Sequence, residues 1–233
     1  VPRLSAESEA RLIALYREGG GPWSKQHIVQ VLAFGGGSAS AQVFREALTR
    51  DSAGKLVSPG DNSILCYLPE LCGVLARRND DALRFLLEAS RPEFWLAQRL
   101  WKGDELPVSV RILTGAAIKG LGFSGRQQAQ EVLDWYRDNP AKAGLRERDG
   151  TVASLDGSIV GAVFRARIVE DVGIEAAMDE VFYDGEVLMR RFGEWLKTPE
   201  GGAWFAWAAG AERAGVEAAR KADGGGPATR TGN

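Results

Sequence analysis

Apolar residues recur along this chain at helical spacing and break off at short glycine-rich or polar gaps. Ala6, Ala10, Leu12, Ile13 and Tyr16 share one face of a first helix, Ser5 to Glu18, with Ser5 as its cap and Gly19-Gly20-Gly21-Pro22 as its stop. Ser24 caps a second helix carrying Ile28, Val29, Val31 and Leu32, which ends at Gly35-Gly36-Gly37. From Ser38 a partner helix turns Val43, Phe44, Ala47 and Leu48 inward and leaves Gln42, Arg45, Glu46 and Thr49 outward.

The same phrase returns twice. A second unit opens at Asp61-Asn62-Ser63, runs through Ile64, Leu65, Leu68, Leu71, Val74 and Leu75, and breaks at Arg77-Arg78-Asn79-Asp80 before a partner helix with Ala82, Leu83, Leu86 and Leu87. Pro69 within it removes a backbone donor, so it predicts a kink or the true helix start. A third unit carries Val110, Leu113, Ala117 and Leu121, a break at Gly122-Phe123-Ser124-Gly125, then Ala129, Val132, Leu133 and Tyr136, and ends at Asn139-Pro140. Between these units Pro92 to Pro107 reads as an aromatic loop holding Phe94, Trp95 and Trp101.

The break pairs Phe34-Gly35, Leu75-Ala76 and Leu121-Gly122 stand 41 and then 46 residues apart, the period of helical-repeat arrays. A polar stretch from Lys142 to Gly150 follows, and then a degenerate fourth unit: Ile159, Val160, Val163, Phe164 and Ile168, a break at Gly173, and Ala176, Ala177, Val181 and Phe182. Two more helices are expected, Glu186 to Lys197 and an alanine-rich one from about Ala203 to Ala222. No segment alternates long enough to predict a strand, so the fold reads as all-α. The expected organisation is a lead-in helix and repeats over 1–140, a degenerate repeat with capping helices over 151–222, continuous with the array, and a flexible tail over 223–233.

The third unit, with its Ala116-Ala117 pair, its Leu121-Gly122 stop and its second amphipathic helix, resembles a HEAT repeat, as does the proline in the first helix of the second unit. That resemblance covers 24 to 139 well and 155 to 183 poorly. It implies a short right-handed α-solenoid of stacked helical hairpins, with three clear repeats and the second helices lining a concave side. Physical reasoning points the same way, because one hairpin cannot hide its apolar face alone and must lean on a neighbour.

Composition narrows the function. In 233 residues, 29 Lys and Arg stand against 31 Asp and Glu, a net charge of −2 that provides no field for nucleic acid or an anionic membrane. Base-excising relatives of the HEAT-like group need a strongly basic concave surface, whereas Arg45, Arg84 and Arg137 are here offset by Glu46, Glu88, Glu131 and Asp134, so no nucleic-acid partner is expected. No apolar run approaches the ~20 residues of a membrane span. The expectation is a soluble protein, cytoplasmic or secreted after loss of a signal preceding Val1, with no membrane insertion.

Catalytic and metal chemistry find little support. His27 is the single histidine and has no cysteine or paired carboxylate beside it, so neither a metal site nor a nucleophile–base pair is predicted, and no cofactor. The paired His-Glu motifs of di-iron hydroxylases on HEAT-like repeats are missing. Six helical residues put Cys66 and Cys72 about 9 Å apart, so in a continuous helix both read as free thiols that pack as small apolar groups, while a helix starting at Pro69 would leave a disulfide open. Gly35-Gly36-Gly37 lacks the preceding strand and following lysine of a phosphate loop and reads as a turn.

The expectation is a non-enzymatic scaffold that binds a protein or peptide along the second-helix face. Arg45, Arg84 and Arg137 would serve for polar recognition, with Trp101 and Trp135 as aromatic anchors. The competing expectation is a lyase of the HEAT-like type acting on a bulky aromatic or pigment ligand in a cleft between the repeats and the C-terminal helices. Charges at Arg165, Arg167, Asp184 and Arg190 converging beside an apolar cavity would mark it.

Overall fold

The computed structural model describes residues 3–18, 22–47, 63–98, 105–146 and 152–222; Leu48, Thr49, Trp101 and the tail 223–233 lie outside them, as do the side chains of Cys66 and Phe182. Among the described residues the fold is all-α apart from one short hairpin.

Each helix boundary has a local cause. In α1 (Ala6–Glu18), the Ser5 hydroxyl accepts from the Ser8 N–H at 3.1 Å, as a cap should. Next, α2 (Pro22–Gly35) opens on proline, whose missing N–H would have had no partner in a first turn; the start thus lies two residues before the expected Ser24 cap. After it, α3 (Ser38–Ala47) follows the glycine turn and buries Val43, Phe44 and Ala47. Then α4 (Ser63–Ala76) continues across Pro69, which marks neither its start nor its end. The side chain of Asn79 accepts from Ala82 N at 2.9 Å to start α5 (Asp80–Ala89).

Two expectations fail at this point. The stretch beginning at Pro92 is not a loop: it forms α6 (Pro92–Gln98). There Trp95 is buried, donates its indole N–H to the Ala89 carbonyl at 2.7 Å, and meets Phe85 and Phe94 edge-on, so it plugs a gap in the core. The second is the stop at Leu121-Gly122: α7 (Glu105–Ser124) runs through Gly122 and ends inside the expected break at Ser124, and Gly125, the last residue of that break, takes the left-handed φ of 58° before α8 (Gln127–Asp138).

A 3-10 turn (Pro140–Ala143) leads into β1 (Gly144–Arg146), which pairs antiparallel with β2 (Val152–Ser154), Leu145 opposite Ala153. Strands of three residues are too short to show alternation in a sequence, which is why none was expected. The chain continues through α9 (Asp156–Val172), Gly173 at φ 82°, and α10 (Ile174–Tyr183). Asp184 then caps α11 (Gly185–Trp195), accepting from Val187 N at 3.0 Å, and α12 (Pro199–Ala222) follows.

Helices α2, α4, α7 and α9 pack side by side in that order, while α3 packs on α5 and α5 on α8. First and second helices of the sequence units therefore fall into separate rows. Helix α12 lies against the 3-10 turn, the hairpin and α9. One buried apolar cluster extends from Ile13 through Leu32, Phe44, Leu86, Leu121 and Ile159 to Trp204 and Ala211. Cys72 belongs to it, and burial pushes its thiol well above the ordinary range, which keeps it protonated and inert.

Candidate functional site

The first-helix row is unusually tight on both sides of α7. A Cβ placed on Gly73 would lie 1.9 Å from the Gly120 carbonyl oxygen, and one on Gly120 would lie 2.2 Å from that of Pro69. On the other side, a Cβ on Gly122 would lie 2.2 Å from the Ala162 carbonyl oxygen. Gly122 is thus a helix-crossing residue, and only the absence of a side chain lets α4, α7 and α9 approach this closely.

That approach brings two distant charges together. Arg165 of α9 donates from Nε to Glu70 Oε2 and from Nη2 to Oε1, both at 3.2 Å, and from Nη1 to the Gly161 carbonyl at 3.0 Å. Its guanidinium stands 5.8 Å from the centre of the Phe123 ring. The two side chains are only 13% and 6% exposed, so this is a buried, two-point ion pair whose partners sit on different helices.

Beside the pair opens a cleft of about 400 Å³, within the range of small-molecule sites. Its floor is one stripe of α7, Arg111, Ile112, Gly115, Ala116 and Lys119. Ser154 and Leu155 at the β2–α9 junction and Ser158 and Arg165 of α9 form one wall, Glu70 another, and Val181 of α10 a third. The end of α10 reaches back to α2, where Gln30 donates to the Tyr183 hydroxyl. Among the described residues three cationic side chains and one carboxylate line this cleft, and that carboxylate is already held by Arg165. An anionic group is the natural complement, and Ser154 and Ser158 supply hydroxyls for orientation.

The residues expected from the sequence fall elsewhere. Arg45 and Arg84 do come together, in a shallow groove of about 170 Å³ between α3 and α5, with the Arg45 guanidinium 5.8 Å from the Phe85 ring. Asp81 and Glu88 line the same groove and cancel their charge, Asp81 standing 3.6 Å from Arg84. Arg137 lies at the far end of the second-helix row, paired with Asp134 at 2.9 Å and Asp138 at 3.4 Å, its guanidinium 6.0 Å from the Trp204 ring. Trp135 is exposed and packs edge-on to Tyr136. Trp101 lies outside the described residues.

The four charges proposed for an enzymatic cleft do not converge. Arg165 lines the cavity, but Arg167 is exposed and pairs with Glu170 and Asp171 at 3.4 and 3.0 Å, Asp184 caps α11, and Arg190 is exposed. Helical periodicity explains the error: Arg167 lies two positions from Arg165 and so points away from it. Sequence reasoning missed Glu70, Arg111, Lys119, Ser154 and Ser158. Glu70 did leave a signal, as the single charged residue in the helix Ser63–Ala76.

Among the described residues no group of three or more His, Cys, Asp or Glu side chains is placed to hold a metal ion, and no helix is long and apolar enough to cross a membrane. No protein-family model, no curated protein and no solved structure matches the chain. What the described residues define is an all-α fold with an open cleft between α4, α7, α9 and α10 lined by Arg111, Lys119, Arg165 and Glu70.

Proposed function

We propose that this chain is a binding protein that holds a small anionic molecule in the cleft between α4, α7, α9 and α10. The observation that carries this reading is Lys119 beside a cavity in which the carboxylate of Glu70 is already held by Arg165. Separation of first and second helices into rows supports a HEAT-like build, in which such a cleft lies between the repeats and the C-terminal helices. Among the described residues no aromatic side chain lines it, which favours a compact anion over a pigment. Glu70, tied down at both oxygens, is a poor general base, and this favours retention of a ligand over turnover.

Thermal unfolding in millimolar inorganic phosphate or citrate at low ionic strength tests the reading. Binding to the folded state raises Tm as ligand exceeds Kd, and Lys119→Glu abolishes the rise. An equal rise in wild type and Lys119→Glu would mean a general salt effect and no site.

A second reading, capture of a protein or peptide on the second-helix face, draws support from one feature, the meeting of Arg45 and Arg84 beside Phe85. Charge reversal at both would then abolish partner capture while leaving phosphate binding intact.

A further inference from the structure

Away from the cleft, the turns that join first to second helices gather arginines. We propose that this edge binds an extended acidic segment of a partner protein, with a carboxylate at every third residue. Arg3 stands by the turn after α2, because the next residue, Leu4, donates its N–H to the Gly35 carbonyl at 2.8 Å. Arg77 and Arg78 occupy the turn after α4, and Arg126 the turn after α7. These last two turns touch: Arg77 donates from Nη1 to the Phe123 carbonyl at 3.1 Å, and Arg126 returns a bond from Nη1 to the Arg77 carbonyl at 3.3 Å.

The acids nearest this edge are engaged. Glu9 caps α3, Asp80 pairs with Arg126 and Asp81 with Arg84. Among the described residues no carboxylate pairs with Arg3, Arg77 or Arg78. Arg78 is the clearest case, since its Nε and Nη2 are shielded from water and meet no acceptor. Arg165 holds Glu70 with that same edge of its guanidinium. Burial, and after it the charge of Arg3, pull Arg78 below the ordinary arginine range. Charged donors left without acceptors cost stability, so a carboxylate from outside supplies what the chain does not. Arg3 and Arg77 are exposed and Arg78 is half-buried, which leaves the edge open to a partner.

Spacing defines the partner. Helices α2, α4 and α7 lie side by side, and neighbouring helices pack about 8–10 Å apart, so the cationic turns repeat at that interval. A polyproline II segment rises about 3.1 Å per residue with about three residues per turn, which puts every third side chain on one side, about 9 Å apart. Carboxylates so placed meet successive turns along a straight segment. A nucleic-acid strand matches less well, with a charge about every 3.4 Å and a net charge of −2 on this chain to repel it.

Fluorescence anisotropy at low ionic strength with a labelled peptide of three Glu-Pro-Ala repeats tests the edge. Its control has the same composition with the glutamates adjacent, and the spaced peptide should bind at least about fivefold tighter. Arg3→Gln and Arg78→Gln should each weaken binding at least about threefold, and together abolish it, without lowering the thermal midpoint. If Arg78→Gln fails to fold, Arg3→Gln, which alters the lead-in alone, and Arg126→Gln carry the same expectation. Lys119→Glu should leave the affinity as in wild type, whereas loss there would put the peptide in the cleft and overturn the proposal. Equal binding of the two peptides, or of a single-stranded oligonucleotide of matching charge, would show a general attraction for anions and overturn it too.

Discussion

Arg165 grips Glu70 through two hydrogen bonds of 3.2 Å across 95 residues of sequence, with α7 packed against both of their helices. A buried pair of this kind is poorly tolerant of losing one member, because the survivor keeps its charge without its partner. Glu70→Ala is expected to lower unfolding free energy by about 3–5 kcal/mol in urea titration. The double variant Glu70→Leu/Arg165→Met should recover most of that loss. Equal loss in the single and double variants would mean the pair matters for shape and not for charge.

The glycines at the α4–α7 crossing should be intolerant of a single methyl. At Gly73 and Gly120 the added atom would strike backbone oxygens at 1.9 and 2.2 Å, and backbone cannot rotate aside. Alanine at either site is expected to cost about 1–3 kcal/mol, the range of overpacked cores. Gly210, within α12, faces nothing within 4 Å, so Gly210→Ala should stabilise by about 0.5–1 kcal/mol by restricting the unfolded chain. Thermal unfolding of the three variants separates the two outcomes by sign.

Acid should loosen the N-terminal helix. Glu9 Oε1 accepts from Gly37 N at 2.7 Å, Ser40 N at 2.8 Å and Ser40 Oγ at 2.6 Å, so a residue of α1 caps α3. Burial pushes this carboxyl up, but the hydrogen bonds from Ser40 and Gly37 together outweigh it and hold it below the ordinary value of 4.5. A depressed folded value means the stabilisation is complete above the unfolded value and is lost as pH falls through the folded one. Stability should therefore hold steady down to about pH 5 and decline below 4.5. Glu9→Gln should cost about 1 kcal/mol at pH 7, the typical worth of a helix cap, and flatten the acid limb of the profile. Urea midpoints from pH 3 to pH 7 measure both effects.

Helix identity and most inward positions were legible, although Val31, Ala6, Ala10 and Ala176, read on apolar stripes, are exposed. Val43, Phe44, Leu71, Leu113, Ala117, Leu121, Leu133, Tyr136, Ile159 and Phe164 are all buried, as their spacing requires. Sequence reading was weakest where one residue type serves two purposes. Gly122 looks like a helix stop and is a crossing point, while the tryptophan at 95 looks like part of a loop and is a core plug on a helix of its own. Arg45 and Arg84 line one groove because α3 packs on α5, whereas Arg137, expected beside them, lies apart.

From the sequence alone came the all-α class, most helix boundaries and the division of each helix into a buried and an open face. Those properties follow from local rules, the 3.6-residue period and the chemistry of caps and breakers, which act within a few residues. Only the tertiary structure decided where the charges meet. Glu70, Arg111, Lys119 and Arg165 lie on three helices, and what makes them one site is the depth at which bare glycines let those helices cross. No periodicity within a single helix encodes that distance, because it is set by the backbone contacts of two helices at once.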